Sequence, residues 1–184
     1  MTESQPKRLR YFIGRLLTIA DFQLEQNYHR DKSKLHNRSL HGFGIVSGLK
    51  VSVDAGQIIV APGLALDCEG NELVIPCTQS IALPATTAEW TSAYVSLSYS
   101  EEETDPIPAV PNEPSASSET AAEASTITES FRVAVAQENC NRGHRHLRAR
   151  WLACGQPHPL TIAKLKHNSH GWRVERGYRA PVIK

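Results

Sequence analysis

Residues 44–75 read GIVSGLKVSVDAGQIIVAPGLALDCEGNELVI, and this stretch decides the fold. Apolar and polar residues alternate towards Val51-Ser52-Val53, the period of a half-buried strand. Asp54-Ala55-Gly56 then makes a turn, and Gln57–Ala61 forms a second strand. Pro62-Gly63 punctuates, and Leu64–Asp67 is a short third run. Cys68-Glu69-Gly70-Asn71 is a hairpin tip, from which Glu72–Pro76 returns. Short strands with turn residues between them predict a small antiparallel sandwich or barrel. Ser80–Leu83 and Ala93–Tyr99 add strands in the same style, and Ser130–Ala136 resumes it. Leu160–Leu165, a turn at Asn168–Gly171 and Trp172–Glu175 read as a closing hairpin.

Upstream the pattern changes. Thr18 is placed to cap a helix, with Asp21 at the third helical position, a variant of the capping box. The chain then runs without Gly or Pro to Gly42, so one N-terminal α-helix is expected over about 19–41. Phe22, Leu24, Tyr28, Leu35 and Leu40 give it a narrow apolar face on a wide polar one. Such a helix contacts another chain or bridges solvent. The expected class is therefore mainly β with one N-terminal helix. Residues 1–48 form a docking segment, and 49–100 and 129–184 are two parts of one β-rich domain. Residues 101–128, with their prolines, serines and acids, are expected to be a solvated loop between them.

Composition narrows the function. The 184 residues carry 20 Lys/Arg against 19 Asp/Glu, yet the charges are segregated. Residues 1–50 balance to +5 (nine basic, four acidic), 51–130 to −13 with no Lys or Arg, and 131–184 to +9 (eleven basic, two acidic). Such asymmetry accompanies polyanion binding, but the acidic middle can equally meet the basic ends, within the chain or on a neighbouring subunit. No hydrophobic stretch approaches the length of a membrane span, and the N-terminus lacks the apolar region of a secretory signal. Synthesis in the cytoplasm is expected, with Cys68, Cys77, Cys140 and Cys154 as free thiols.

No nucleophile elbow, P-loop, HExxH or dinucleotide fingerprint is present. His29 and His36 share a helix face, and with His41 and a nearby acid (Asp31 or Glu25) they are the candidates for an acid–base or metal site. The alternative places them in backbone or interface hydrogen bonds. Cys140-x3-His144 and Cys154-x3-His158 repeat a spacing that suits a closed zinc site. Crowding by Arg142, Arg145, Arg148 and Arg150 opposes a cation there and favours a basic rim for a partner. No metal and no cofactor are expected. Trp90, Trp151 and Trp172 are candidates for a carbohydrate- or receptor-stacking platform, against the commoner core role.

The N-terminal residues also carry a family resemblance. Arg10–Thr18, Asp21-Phe22, Glu25–Arg30, His36-Asn37-Arg38 and Leu40–Leu49 resemble a signature of proteins encoded with phage-tail-like contractile injection systems. Ile59–Asp67 with Gly70-Asn71-Glu72 is similar to their β-rich continuation, and Leu160–Leu165 with Arg179 to their C-terminal end. The resemblance implies a non-enzymatic structural component of a multi-copy particle, at the baseplate, a fibre anchor or a surrounding cage. Its partners would be other particle subunits, with no nucleic acid, and with membrane contact only through the particle. The expected interface residues are Tyr11, Phe12, Phe22, Tyr28, His36, Arg38 and His41, with Arg142, Arg145 and Arg148 as a second rim. A carbohydrate- or receptor-binding module and a histidine-dependent enzyme are the alternatives.

Overall fold

The structure, a computed structural model, describes residues 5–85, 91–108, 122–143 and 157–183. It is mainly β, with helix α1 over Ile19–His36. Thr18 caps α1 as expected. Its hydroxyl accepts from the Asp21 backbone N–H, and the Asp21 carboxylate accepts from the Thr18 backbone N–H in return. A π-helical turn, Asn37–His41, continues α1, and Gly42 stops it at φ 82°. No residue of α1 is buried, which fits the thin apolar stripe.

Three antiparallel sheets follow. The strands are β1 Gly44–Gly48, β2 Val51–Asp54, β3 Gln57–Val60, β4 Gly63–Leu66, β5 Glu72–Ile75, β6 Gln79–Ala82, β7 Ser92–Pro108, β8 Ala122–Ala136, β9 Leu160–Asn168 and β10 Gly171–Val174. The sheet orders are β1-β4-β5, β2-β3-β6 and β10-β9-β7-β8. One core serves all three. Leu49, Ile58, Val60, Leu73, Ile75, Val95, Leu97, Leu160, Leu165 and Trp172 meet in it. Each such large side chain contributes roughly 1.5–3 kcal/mol by leaving water. The C-terminal residues close the domain beside its first strand: Ile45 N–H donates to Pro181 O at 2.8 Å, and Ile183 N–H to Ile45 O at 2.9 Å.

The expectation of a loop over 101–128 is corrected for the described part. Residues 101–108 and 122–128 are strand, and β7 and β8 pair without a break in register from Tyr94↔Ala136 to Pro108↔Ala122. Pairing of β7 to β9 ends at Leu97↔Leu160. Beyond that rung β7 and β8 form a two-stranded ribbon. Pro106 and Pro108 are two residues apart and so face the same side of β7. Past Leu97 one side of that strand has no partner strand among the described residues, which is where proline is tolerated.

Candidate functional site

The N-terminal element is fastened to the β domain by a polar clasp. Asp67 organises the β4–β5 hairpin. Its Oδ1 accepts from the backbone N–H of Glu69 and of Asn71, both at 2.9 Å, and its Oδ2 accepts from Asn71 Nδ2 at 2.7 Å. These bonds satisfy a buried carboxylate, since Asp67 and Asn71 are both buried. The tip so formed receives the end of α1. Asn37 Nδ2 donates to Gly70 O at 3.0 Å and to Glu72 Oε1 at 3.2 Å, and Arg38 reaches Glu69 O. Gly70 is at φ 92°, and a Cβ there would lie 2.2 Å from Lys34 O. Two separate parts of the sequence, His36-Asn37-Arg38 and Asp67-Cys68-Glu69-Gly70-Asn71-Glu72, thus form one joint.

Away from the joint the N-terminal element presents apolar surface. Phe12 is 60% exposed, Phe22 53% and Ile13 fully exposed, with Tyr11, Leu16 and Ile19 beside them in sequence. Tyr28 is only half-exposed and meets the His29 ring edge-on at 5.3 Å. The Tyr11 hydroxyl donates to Glu25, which raises the Tyr11 pKa. An open cleft lies here, lined by Arg8, Leu9, Arg10, Tyr11, Glu25, Tyr28 and His29.

The remaining candidates are distributed. His36 and His41 are exposed, with ring centroids 5.4 Å apart, while His29 lies in the cleft. The Cys140 backbone N–H donates to Thr161 Oγ1 at 3.1 Å and its thiol lies 4.0 Å from Glu138 O, while His158 Nδ1 lies 3.0 Å from Pro159 O. Among the described residues no group of three metal-ligating side chains occurs. Trp172 is buried and meets His167 at 5.2 Å, so it offers no stacking platform. Arg142 lies in the 3-10 turn Cys140–Gly143; its side chain, and all of His144, Arg145, Arg148, Arg150, Cys154, Trp90 and Trp151, are outside the described residues.

A feature that sequence reasoning missed lies at the foot of the ribbon. Tyr99 Oη donates to Glu101 Oε1 at 2.9 Å, and Glu101 stands directly opposite Glu129. Burial first, and then the hydrogen bond to Glu101, push the Tyr99 hydroxyl far above its ordinary pKa. Arg30 of α1 reaches Glu101 at 3.5 Å, and Lys34 Nζ lies 5.8 Å from the Tyr99 ring centroid. The segregated charges therefore do meet within the chain at this rung. The absence of any Lys or Arg over 51–130 was the available signal.

No family model matches the chain, and no curated protein matches it. Solved structures do. The baseplate complex from the type VI secretion system aligns with 97% of this chain and 42% of the matched chain, at 11% identity and a TM-score of 0.56. The TssK-TssF-TssG baseplate subcomplex of that system aligns with 97% and 62%, at 13% identity and 0.53. The crystal structure of TssK aligns with 97% and 44%, at 14% identity and 0.51. The chain thus shares its fold with parts of baseplate proteins and spans about two-fifths to three-fifths of each. No helix among the described residues is long and apolar enough to cross a membrane.

Proposed function

We propose that the chain is a non-enzymatic structural component of a phage-tail-like contractile injection particle, attached in the baseplate region through its N-terminal element. The exposed Phe12 and Phe22, on an element that buries no helical residue, carry this reading. Large aromatics of this kind anchor interfaces. The likeness in fold to baseplate proteins supports it, as does the N-terminal signature. The clasp at Gly70 gives the element a fixed base, so the aromatics are presented from a defined position. Multiple copies would add modest contacts through avidity.

The test is Phe12→Ala with Phe22→Ala, followed by particle purification. The expected variant is soluble, keeps its β-sheet circular dichroism and is missing from purified particles. Full occupancy in the particle would overturn the assignment of this face. Each aromatic that acts as an anchor should cost about 2 kcal/mol or more at the interface.

A further inference from the structure

We propose that the outer part of the β7–β8 ribbon docks on a second copy of this chain, in the cleft between residues 8–11 and α1. The register fixes what the ribbon presents. Residues directly opposite one another share a face, and the pairs Glu101↔Glu129, Glu103↔Ile127 and Ile107↔Glu123 fall two or four residues apart along each strand. Glu101, Glu103, Glu123 and Glu129 therefore share one face with the exposed Ile107 and Ile127, and this face continues the core face of Val95, Leu97, Val133 and Val135. The opposite face carries Ser98, Ser100, Thr104, Ser130 and Thr128, with Glu102 and Arg132.

The first rung of the charged face already shows what suits it. Glu101 is met by Arg30, and Lys34 lies over Tyr99, both from a basic stretch of α1. The next rungs have no such cover: among the described residues no side chain outside the ribbon bonds to Glu103, Ile107, Glu123 or Ile127. A two-stranded ribbon alone is marginal in water, so a further partner would stabilise it.

The cleft has the complementary chemistry. Arg8, Arg10 and His29 line it beside Leu9 and Tyr28, and its one carboxylate, Glu25, is engaged by the Tyr11 hydroxyl. Residues 4–20 hold four basic residues and no acid. Neither arginine forms an ion pair with a described residue. Carboxylates of the ribbon meet the guanidinium groups, and an isoleucine covers Leu9 and Tyr28. The two surfaces differ, so the contact is head-to-tail and generates a ring or an open chain of copies. The proposal does not rest on attachment to a particle, because it is read on the purified chain.

The experiment measures the mass of the full chain by light scattering at about 20 mM and about 0.5 M salt, where screening lengths differ several-fold. The expected result is self-association at low salt that weakens about tenfold or more at high salt. Two charge-reversed variants, Glu103→Lys with Glu123→Lys and Arg8→Glu with Arg10→Glu, should each be monomeric with unchanged circular dichroism. Mixed in equal amounts they should associate again, because the reversed ribbon meets the reversed cleft. A monomeric parent chain at low salt would overturn the proposal. So would a ribbon reversal without effect, a cleft reversal without effect, or a mixture that stays monomeric.

Discussion

Asp21 and Thr18 together hold the start of α1. The Asp21 carboxylate accepts from the Thr18 backbone N–H at 3.0 Å and from Arg15 at 2.6 Å. The bond from the Thr18 backbone comes first among the causes that lower its pKa, followed by the Thr18 hydroxyl and Arg15. A carboxyl depressed in the folded chain contributes stability that is present above its unfolded value, about 4. That contribution is lost as pH falls through the lower folded value. The amides of the first turn of α1 should therefore lose protection from hydrogen exchange as pH drops below about 4. In Asp21→Asn their protection should be weaker at pH 7, and the gap to the parent should close in acid. A gap that persists unchanged in acid would mean that Asp21 acts through something other than its charge. This cap was legible in the sequence, because a capping box involves only residues three apart. The Tyr99–Glu101–Glu129–Arg30 group was not, because its members meet only through strand register and the seating of a helix.

At the scale of elements, the joint between α1 and the β4–β5 hairpin explains why the helix stays on the domain without burying a residue. The helix backbone comes so close to the tip that only a glycine fits at position 70. In Gly70→Ala the side chain meets a carbonyl oxygen rather than a flexible group, and the positive φ adds about 1–3 kcal/mol of strain. The expected outcome is a folded β domain whose α1 amides exchange faster along the whole helix. Unchanged exchange would show that Asn37 and Arg38 hold the helix without the close approach. Both halves of this joint stand out in the sequence, as the asparagine after His36 and as the Gly-Asn hairpin tip. Their union did not, since a sequence read along one dimension does not pair residues 33 apart. The strands over 44–83 were readable because turn chemistry and period agree there. Residues 101–108 and 122–128 were misread because acids and prolines disfavour a buried strand. In a two-stranded ribbon both faces and one side of β7 escape that burial, so the penalty does not apply.

At the scale of the whole molecule, a compact three-sheet core carries two projections of opposite charge, the basic N-terminal element and the acidic ribbon. The core does not need the second. Among the described residues its fully buried side chains come from residues 49–97 and 160–172; Tyr99 and Phe131 at the foot of the ribbon pack partly buried against them, and no hydrophobic residue of 101–108 or 122–129 does. Glu102 and Thr128 stand directly opposite one another, and a two-residue Asn-Gly turn suits such a pair. Replacing Glu103–Ile127 by Asn-Gly should leave a soluble protein whose melting temperature lies within a few degrees of the parent. The same shortening should abolish self-association at low salt while leaving particle occupancy to Phe12 and Phe22. Loss of folded protein would show instead that the removed segment packs on the core. A shortened chain that still self-associates would move the contact off the ribbon. The two projections would then act separately, with the acidic one no longer the partner of the basic one.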